Sequence, residues 1–233
     1  YNVALALLPA ALAAVYYFGS YALLLMVTCS VACLVTEVVA QKLRGVPVTI
    51  NDGSALVTGL LLALTLPPKL PLWMAVLGSV IAIGLGKQVF GGLGYNFFNP
   101  ALLGRAFLLA SFPVAMTTWK LVDTTSQATP LAASSDTVIS VSDLFIGSIG
   151  GSLGETSAAA IILGGLYLLY KGYIDWRIPT GYLGTVVVLT SFLGQRGPIF
   201  HLLAGGLMLG AFFMATDMVT TPVTKKGRWI FAV

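Results

Sequence analysis

Eight apolar runs, at about 3–17, 20–40, 53–66, 71–86, 99–113, 156–170, 179–194 and 199–215, fill most of the chain. Gly, Pro and almost all the charge fall between them. Charged residues make up only 9% of the 233 positions, against roughly 25% in soluble domains. A soluble fold of this length needs far more polar surface to cover its core. The pattern predicts an all-α polytopic membrane protein. Several runs fall short of the roughly 20 residues that cross a bilayer. Short runs of that kind suit helices that tilt, break or re-enter within a bundle.

The net charge of +4 points to no nucleic-acid partner, whereas the placement of the bases is informative. If the long polar loop 114–155 faces outward and the spans alternate, Lys42, Arg44, Lys87, Lys171, Arg177, Lys225, Lys226 and Arg228 lie inside. Only Lys69, Lys120 and Arg196 lie outside, and Arg105 falls within a span. That bias follows the positive-inside rule and puts the loop in the periplasm, or outside a single-membrane cell.

Two series of spans share a signature. Five precede the loop; three and the stub of a fourth follow it. The third span of the first series ends in Thr65-Leu66-Pro67-Pro68, and the third of the second series in Thr216-Asp217-Met218-Val219-Thr220-Thr221-Pro222. Both stop early in Thr and Pro, where backbone groups need partners other than lipid. Interrupted spans at matching places predict two inverted repeats with a site at the centre. The expected divisions are 1–113, the outer loop 114–155 and 156–233. The first span reads as one whose polar leader is missing, and two further spans are expected after Val233, giving ten helices of which about eight are present.

Polar residues that lipid would not tolerate gather in a few places. Gly91-Gly92-Leu93-Gly94-Tyr95-Asn96-Phe97-Phe98-Asn99-Pro100 joins glycines, which permit close backbone approach, to Asn96 and Asn99, whose amides suit a heterocycle edge. The same residues also read as a Gly-rich turn with Asn99 capping the helix that begins at Pro100. Asp217 is a functional candidate or an interface anchor. Glu37 is a proton or cation group, or a partner for Lys42 five residues on. Arg105, alone in its span, needs a carboxylate, carbonyls or a ligand anion. Gly150-Gly151-Ser152-Leu153-Gly154-Glu155-Thr156-Ser157 leads into a helix N-terminus and suits an anion, although Glu155 there also complements the helix dipole.

Cys29 and Cys33 lie at i, i+4 on one helix face, read as small core residues; two thiolates alone complete no metal site. His201 reads as a residue at a span boundary. No triad, Walker loop or dinucleotide fingerprint is present. Hydrolysis and nucleotide binding therefore have no motif to rest on.

The outer loop carries Asp123-Thr124-Thr125-Ser126-Gln127-Ala128-Thr129-Pro130. This resembles the Asp-x-x-Ser-Gly-Ala-Thr signal at which a flavin transferase esterifies FMN phosphate to the Thr hydroxyl. With Tyr95–Phe107 and Met214-Ala215-Thr216-Asp217, the chain resembles the D subunits of Rnf ferredoxin:NAD+ oxidoreductases. Those are related to the B subunit of Na+-translocating NADH:quinone reductase. The resemblance covers nearly all of the chain.

It implies a fold similar to urea transporters, with ten helices in two inverted halves. It implies covalent FMN on Thr129, with Ser126 and Asp123 in the recognition signal. Asn96, Asn99 and Asp217 match positions near a second, non-covalent riboflavin, and Arg105, Glu155 and Thr156 complete the candidate cofactor-binding set. No catalytic residue and no metal ligand are expected. The implied function is electron transfer between the two flavins, coupled to Na+ or H+ translocation. The implied setting is a bacterial or archaeal cytoplasmic membrane, among other Rnf subunits, one bearing another flavin. One departure stands out: Gln127 occupies the Gly position of the signal and would crowd a tight turn. A channel or transporter of similar fold is the alternative, but it has no use for Ser126–Thr129.

Overall fold

The computed structural model describes residues 1–119, 131, 140–147, 150–155, 157–193 and 197–233. The helices in order are α1 (Asn2–Phe18), α2 (Ser20–Leu43), α3 (Ser54–Leu64), α4 (Leu72–Ile83), α5 (Pro100–Ser111) and α6 (Pro113–Thr117). They are followed by α7 (Val141–Ile146), α8 (Ala158–Tyr170), α9 (Arg177–Leu193), α10 (Pro198–Leu203), α11 (Leu207–Leu209) and α12 (Lys225–Ala232). Among the described residues all regular structure is helical. Ser20–Leu43 is the one described helix that is both long and apolar enough to cross a bilayer unaided. The expected run 199–215 is not one helix: it breaks at Ala204–Gly206 and resumes as α11 and a π turn, Gly210–Met214.

The distribution of side chains on α2 inverts that of a soluble helix. Its exposed face is Leu23, Leu24, Val27, Val31, Val35 and Val39, while Ala22, Cys29, Ser30, Cys33, Glu37 and Gln41 are buried. Large apolar groups outward and small or polar groups inward is the arrangement that lipid selects, because close helix packing and interhelical hydrogen bonds replace a hydrophobic drive. The α2 face packs on α3 and α4, α4 on α5, and α1 on α8. Backbones come close enough that a Cβ on Gly59 would stand 2.6 Å from Ser30 Cα, and one on Gly164 would collide with the Ala6 carbonyl oxygen. Cys29 and Cys33 are wholly buried in this packing, and the Cys33 thiol faces the Ser79 carbonyl at 4.0 Å.

Helix α3 shows how the chain ends a helix inside the bundle. Pro67 and Pro68 cannot extend it, so its last carbonyls need other donors. The Thr65 backbone N–H and hydroxyl both donate to Leu62 O, at 2.9 and 2.7 Å, and Leu66 N–H donates to Ala63 O at 3.0 Å. The segment before α8 supplies the rest. Gly154 N–H donates to Leu64 O at 2.7 Å, and Leu153 N–H to Leu66 O at 3.2 Å. Those two amides therefore close α3.

Two π turns interrupt the helical geometry, Gly84–Gln88 continuing α4 and Gly210–Met214 continuing α11. Such turns re-aim side chains and recur at functional sites. Both reach one cavity.

Candidate functional site

That cavity, of about 390 Å³, has Lys87 from the first π turn and Phe213 from the second in its walls. Asn96, Asn99, Thr216 and Asp217 line it, together with Asp52 and Ser54 at the start of α3 and Tyr173 after α8. The volume and mostly apolar lining with a few polar groups suit a small organic ligand. Of the expected site residues, Asn96 and Asn99 from mid-chain and Asp217 from near its end are thus brought together. Asn96 is buried and donates its amide to Phe98 O at 3.1 Å, leaving its side-chain oxygen unused by that bond. Asn99 is the helix cap that its position before Pro100 predicts: its Oδ1 accepts from Ala101 and Leu102 N–H at 3.0 and 3.3 Å. Its amide nitrogen holds only a long bond, 3.5 Å, to Met214 O.

Asp217 lies beyond the second π turn, in the loop before α12. Burial pushes its carboxyl above the ordinary carboxylate range, against opposing bonds from Val219 N–H and the Thr220 hydroxyl, each 3.4 Å long. Its carboxyl oxygens stand at the cavity wall, where they can accept hydrogen bonds from a ligand.

Behind this cavity is an ion pair that the order of residues along the chain conceals. Lys87 Nζ lies 2.5 Å from Glu37 Oε1, with side chains only 2% and 0% exposed. Sequence spacing offered Lys42 as the partner of Glu37; the fold supplies Lys87, 50 residues away. Lys87 therefore leaves the set of inner-loop bases. The same Glu37 oxygen accepts from Gln88 Nε2 at 2.9 Å and Gln41 Nε2 at 3.4 Å. Lys87 donates in addition to Ser54 Oγ at 2.6 Å, and that hydroxyl donates to Asp52 Oδ1 at 2.6 Å. Arg44 closes the cluster through Gln88 Oε1 at 3.0 Å. Lys87, Gln88, Ser54 and Asp52 are the residues that sequence reasoning missed. The available signal was a Lys-Gln pair directly at the end of an apolar run.

A second, larger cavity of about 850 Å³ runs along α5, α9 and α10. Arg105, Glu155, His201, Trp119 and Leu131 line it, and so does Asn99, which borders both cavities. Among the described residues Arg105 makes no hydrogen bond or ion pair, and His201 Nε2 is buried without a partner. Glu155 accepts from Ser152 N–H at 3.2 Å. The helix N-terminus of α8 is capped by Ser157, whose hydroxyl accepts from Ala160 N–H at 3.3 Å. With Leu153 and Gly154 N–H spent on α3, two of the donors expected for an anion there are already committed. Thr129, Ser126, Asp123 and Thr156, with Gln127, lie outside the described residues.

Comparison with known proteins matches residues 1–233 to the model of the NQR2, RnfD, RnfE family. The chain is 53% identical, over its whole length and 76% of the relative's, to the D subunit of the Na(+)-translocating ferredoxin:NAD(+) oxidoreductase complex of Acetobacterium woodii. It is 49% identical, over its whole length and 77% of the relative's, to the D subunit of the proton-translocating ferredoxin:NAD(+) oxidoreductase complex of Clostridium ljungdahlii. It is 42% identical, over its whole length and 78% of the relative's, to the D subunit of the ion-translocating oxidoreductase complex of Stutzerimonas stutzeri. The chain belongs to the NQR2, RnfD, RnfE family, among the D subunits of Rnf-type ion-translocating oxidoreductase complexes.

Proposed function

We propose that the chain is an electron-transfer subunit of an Rnf complex, carrying FMN as a phosphoester on Thr129 and holding riboflavin in the smaller cavity. Bound flavin supplies one- and two-electron chemistry, and the protein supplies position, electrostatics and exclusion of side reactions. Asn96 and Asp217 would meet polar edges of the riboflavin ring, while Asn99 keeps α5 capped at its border. The observation that carries this reading is that Asn99 borders both cavities, so the two are neighbours. Leu131, two residues after Thr129, lines the larger cavity, whose Arg105 guanidinium is uncommitted and suits a phosphate or a ring carbonyl.

In this reading loop 114–155 faces outward across a cytoplasmic membrane, and the two halves are inverted repeats of five helices with a urea-transporter-like fold. Partners are the other Rnf subunits, a second flavin-bearing subunit among them, and a flavin transferase for maturation. The ion moved is Na+ or H+, the two that the names of similarly close relatives carry.

Co-expression with a flavin transferase tests the reading. The denatured chain should fluoresce under ultraviolet light and carry an FMN mass adduct, and Thr129→Ala should abolish both. Gln127→Gly should raise the flavinylated fraction. Fluorescence that survives Thr129→Ala would overturn the attachment site, and no flavin in the parent chain would favour solute transport.

A further inference from the structure

A third cavity, of about 470 Å³, lies between the end of α8, the start of α9 and the loop before α12. Tyr173, Ile174, Thr216 and Met218 line both it and the smaller cavity, so the two adjoin. Their chemistry differs. The smaller cavity is lined mainly by apolar groups, whereas the third gathers Tyr173, Asp175, Thr216, Thr221 and Arg228.

The hydrogen bonds that these side chains already make fix what each has left to offer. Thr216 donates its hydroxyl proton to Phe212 O at 2.7 Å, and Thr221 donates to Asp217 O at 2.8 Å. Each keeps an oxygen that can only accept. Tyr173 is the reverse. Tyr167 donates to Asn2 Oδ1 at 3.2 Å, and Asn2 Nδ2 donates to the Tyr173 oxygen at 2.6 Å. The bonds run toward Tyr173, whose phenol proton is committed to nothing among the described residues. Arg228 has spent Nε on Pro222 O and Nη1 on Asp175, which leaves Nη2 to donate. Two acceptors and two donors on one cavity suit a ligand whose polar groups each give and take a hydrogen bond, a chain of neutral hydroxyls. An anion, with acceptors alone, would leave the Thr216 and Thr221 oxygens unpartnered, and the Arg228 charge is already paired with Asp175.

We propose that the third cavity is a polyol subsite, which receives the hydroxylated side chain of a flavin whose ring fills the smaller cavity. The inference deepens the riboflavin assignment and rests on it. Riboflavin divides into a flat ring and a ribityl chain that carries hydroxyls along its length. The two adjoining cavities repeat that division, and Thr216 and Tyr173, which line both, stand where ring and chain join. A hydroxyl buried without a partner is costly, and so is a site's own polar group left unpaired. The subsite therefore also sets specificity, favouring a flavin that bears the polyol over the bare ring.

The test compares riboflavin with lumiflavin, which has the same ring and a methyl group in place of the ribityl chain. Binding is measured by equilibrium dialysis against the full-length protein in nanodiscs, stripped of non-covalent flavin. The parent should hold riboflavin at least roughly tenfold more tightly, the worth of about one or two net hydrogen bonds. Thr221 lines the third cavity and not the smaller one. Thr221→Val should therefore weaken riboflavin about two- to tenfold and leave lumiflavin unchanged, and Thr221→Ser should restore riboflavin. Tyr173→Phe, which removes only the phenol hydroxyl, should weaken riboflavin by a like factor. Equal affinities for the two flavins in the parent, or a Thr221→Val protein that loses both alike, overturn the subsite and leave the ring's cavity standing. Riboflavin affinity unchanged in both Thr221→Val and Tyr173→Phe overturns it as well. A parent protein that binds neither flavin overturns the cavity assignment itself.

Discussion

Gly154 donates its backbone N–H to the Leu64 carbonyl at 2.7 Å, so the loop before α8 finishes a helix that began at Ser54. A helix that stops within the bundle leaves carbonyls that lipid cannot satisfy. The site has no room for a substitute: a Cβ on Gly154 would stand 2.9 Å from Leu209 Cδ2 and 3.0 Å from Leu64 O. Gly154→Pro removes the donor and adds bulk. The lost bond alone should cost about 1–3 kcal/mol. A thermal melt of the detergent-solubilised protein should show Gly154→Pro well below Gly154→Ala. Equal midpoints would mean that this amide does not hold the two halves together.

The buried pair Glu37–Lys87 makes a different energetic statement. Removing one partner leaves an uncompensated charge in a place with no exposure, at about 3–5 kcal/mol. Replacing both with apolar residues of like volume is often neutral. Glu37→Leu and Lys87→Met should therefore each destabilise strongly, and the double variant should recover most of the loss. A double variant no more stable than the worse single would show that Gln88, Gln41 and Ser54 carry the cluster without the ion pair.

Asp217 should make stability fall with rising pH. Its folded carboxyl is raised by burial above the ordinary value of 3.8. A raised group contributes stability that is full below its ordinary value and is lost as pH climbs through the raised one. Asp217→Asn keeps a neutral side chain throughout. The gap between variant and parent in melting temperature should be smallest in acid and widen in favour of Asp217→Asn toward neutral pH. A gap that stays constant with pH would place the Asp217 carboxyl in the ordinary range.

How much of this was legible in the sequence follows from how local each feature is. The Asn99 cap, the early end of α3 and the apolar runs are set by neighbours in the chain, and the structure shows them where Pro100, Pro67 and the hydropathy put them. The break at Ala204–Gly206 was not legible, because a short Gly-Gly pair in an apolar run is also tolerated inside a membrane helix. The Glu37–Lys87 pair was misread because spacing along one helix offers only nearby partners such as Lys42, five residues on. The neighbour that matters comes from α4, and its π turn shifts the face on which Lys87 emerges. Asn96 and Asp217 could be named as candidates, but only the fold shows the positive charge that shares their cavity.

At the start of α9, Asp175 ties that helix to α12. Its carboxylate meets Arg177 Nη1 at 2.9 Å and also Arg228 Nη1, while Trp176 and Trp229 pack edge to face 5.9 Å apart. Burial would raise the Asp175 carboxyl, but the Arg177 backbone N–H and the two guanidinium groups outweigh it and hold it below the ordinary value of 3.8. The sign is therefore opposite to that at Asp217. Stability from Asp175 is present above 3.8 and drains away as pH falls through the lowered value. Below that range parent and Asp175→Asn should converge, and above it the parent should be the more stable. Arg228 also donates Nε–H to Pro222 O at 3.1 Å, a bond a lysine cannot duplicate while holding the carboxylate. Arg228→Lys should thus fail to restore what Arg228→Ala loses. Partly exposed pairs are screened by salt, so the difference between parent and Asp175→Asn should shrink in high salt. A difference indifferent to both pH and salt would assign the α9–α12 contact to the tryptophan pair instead.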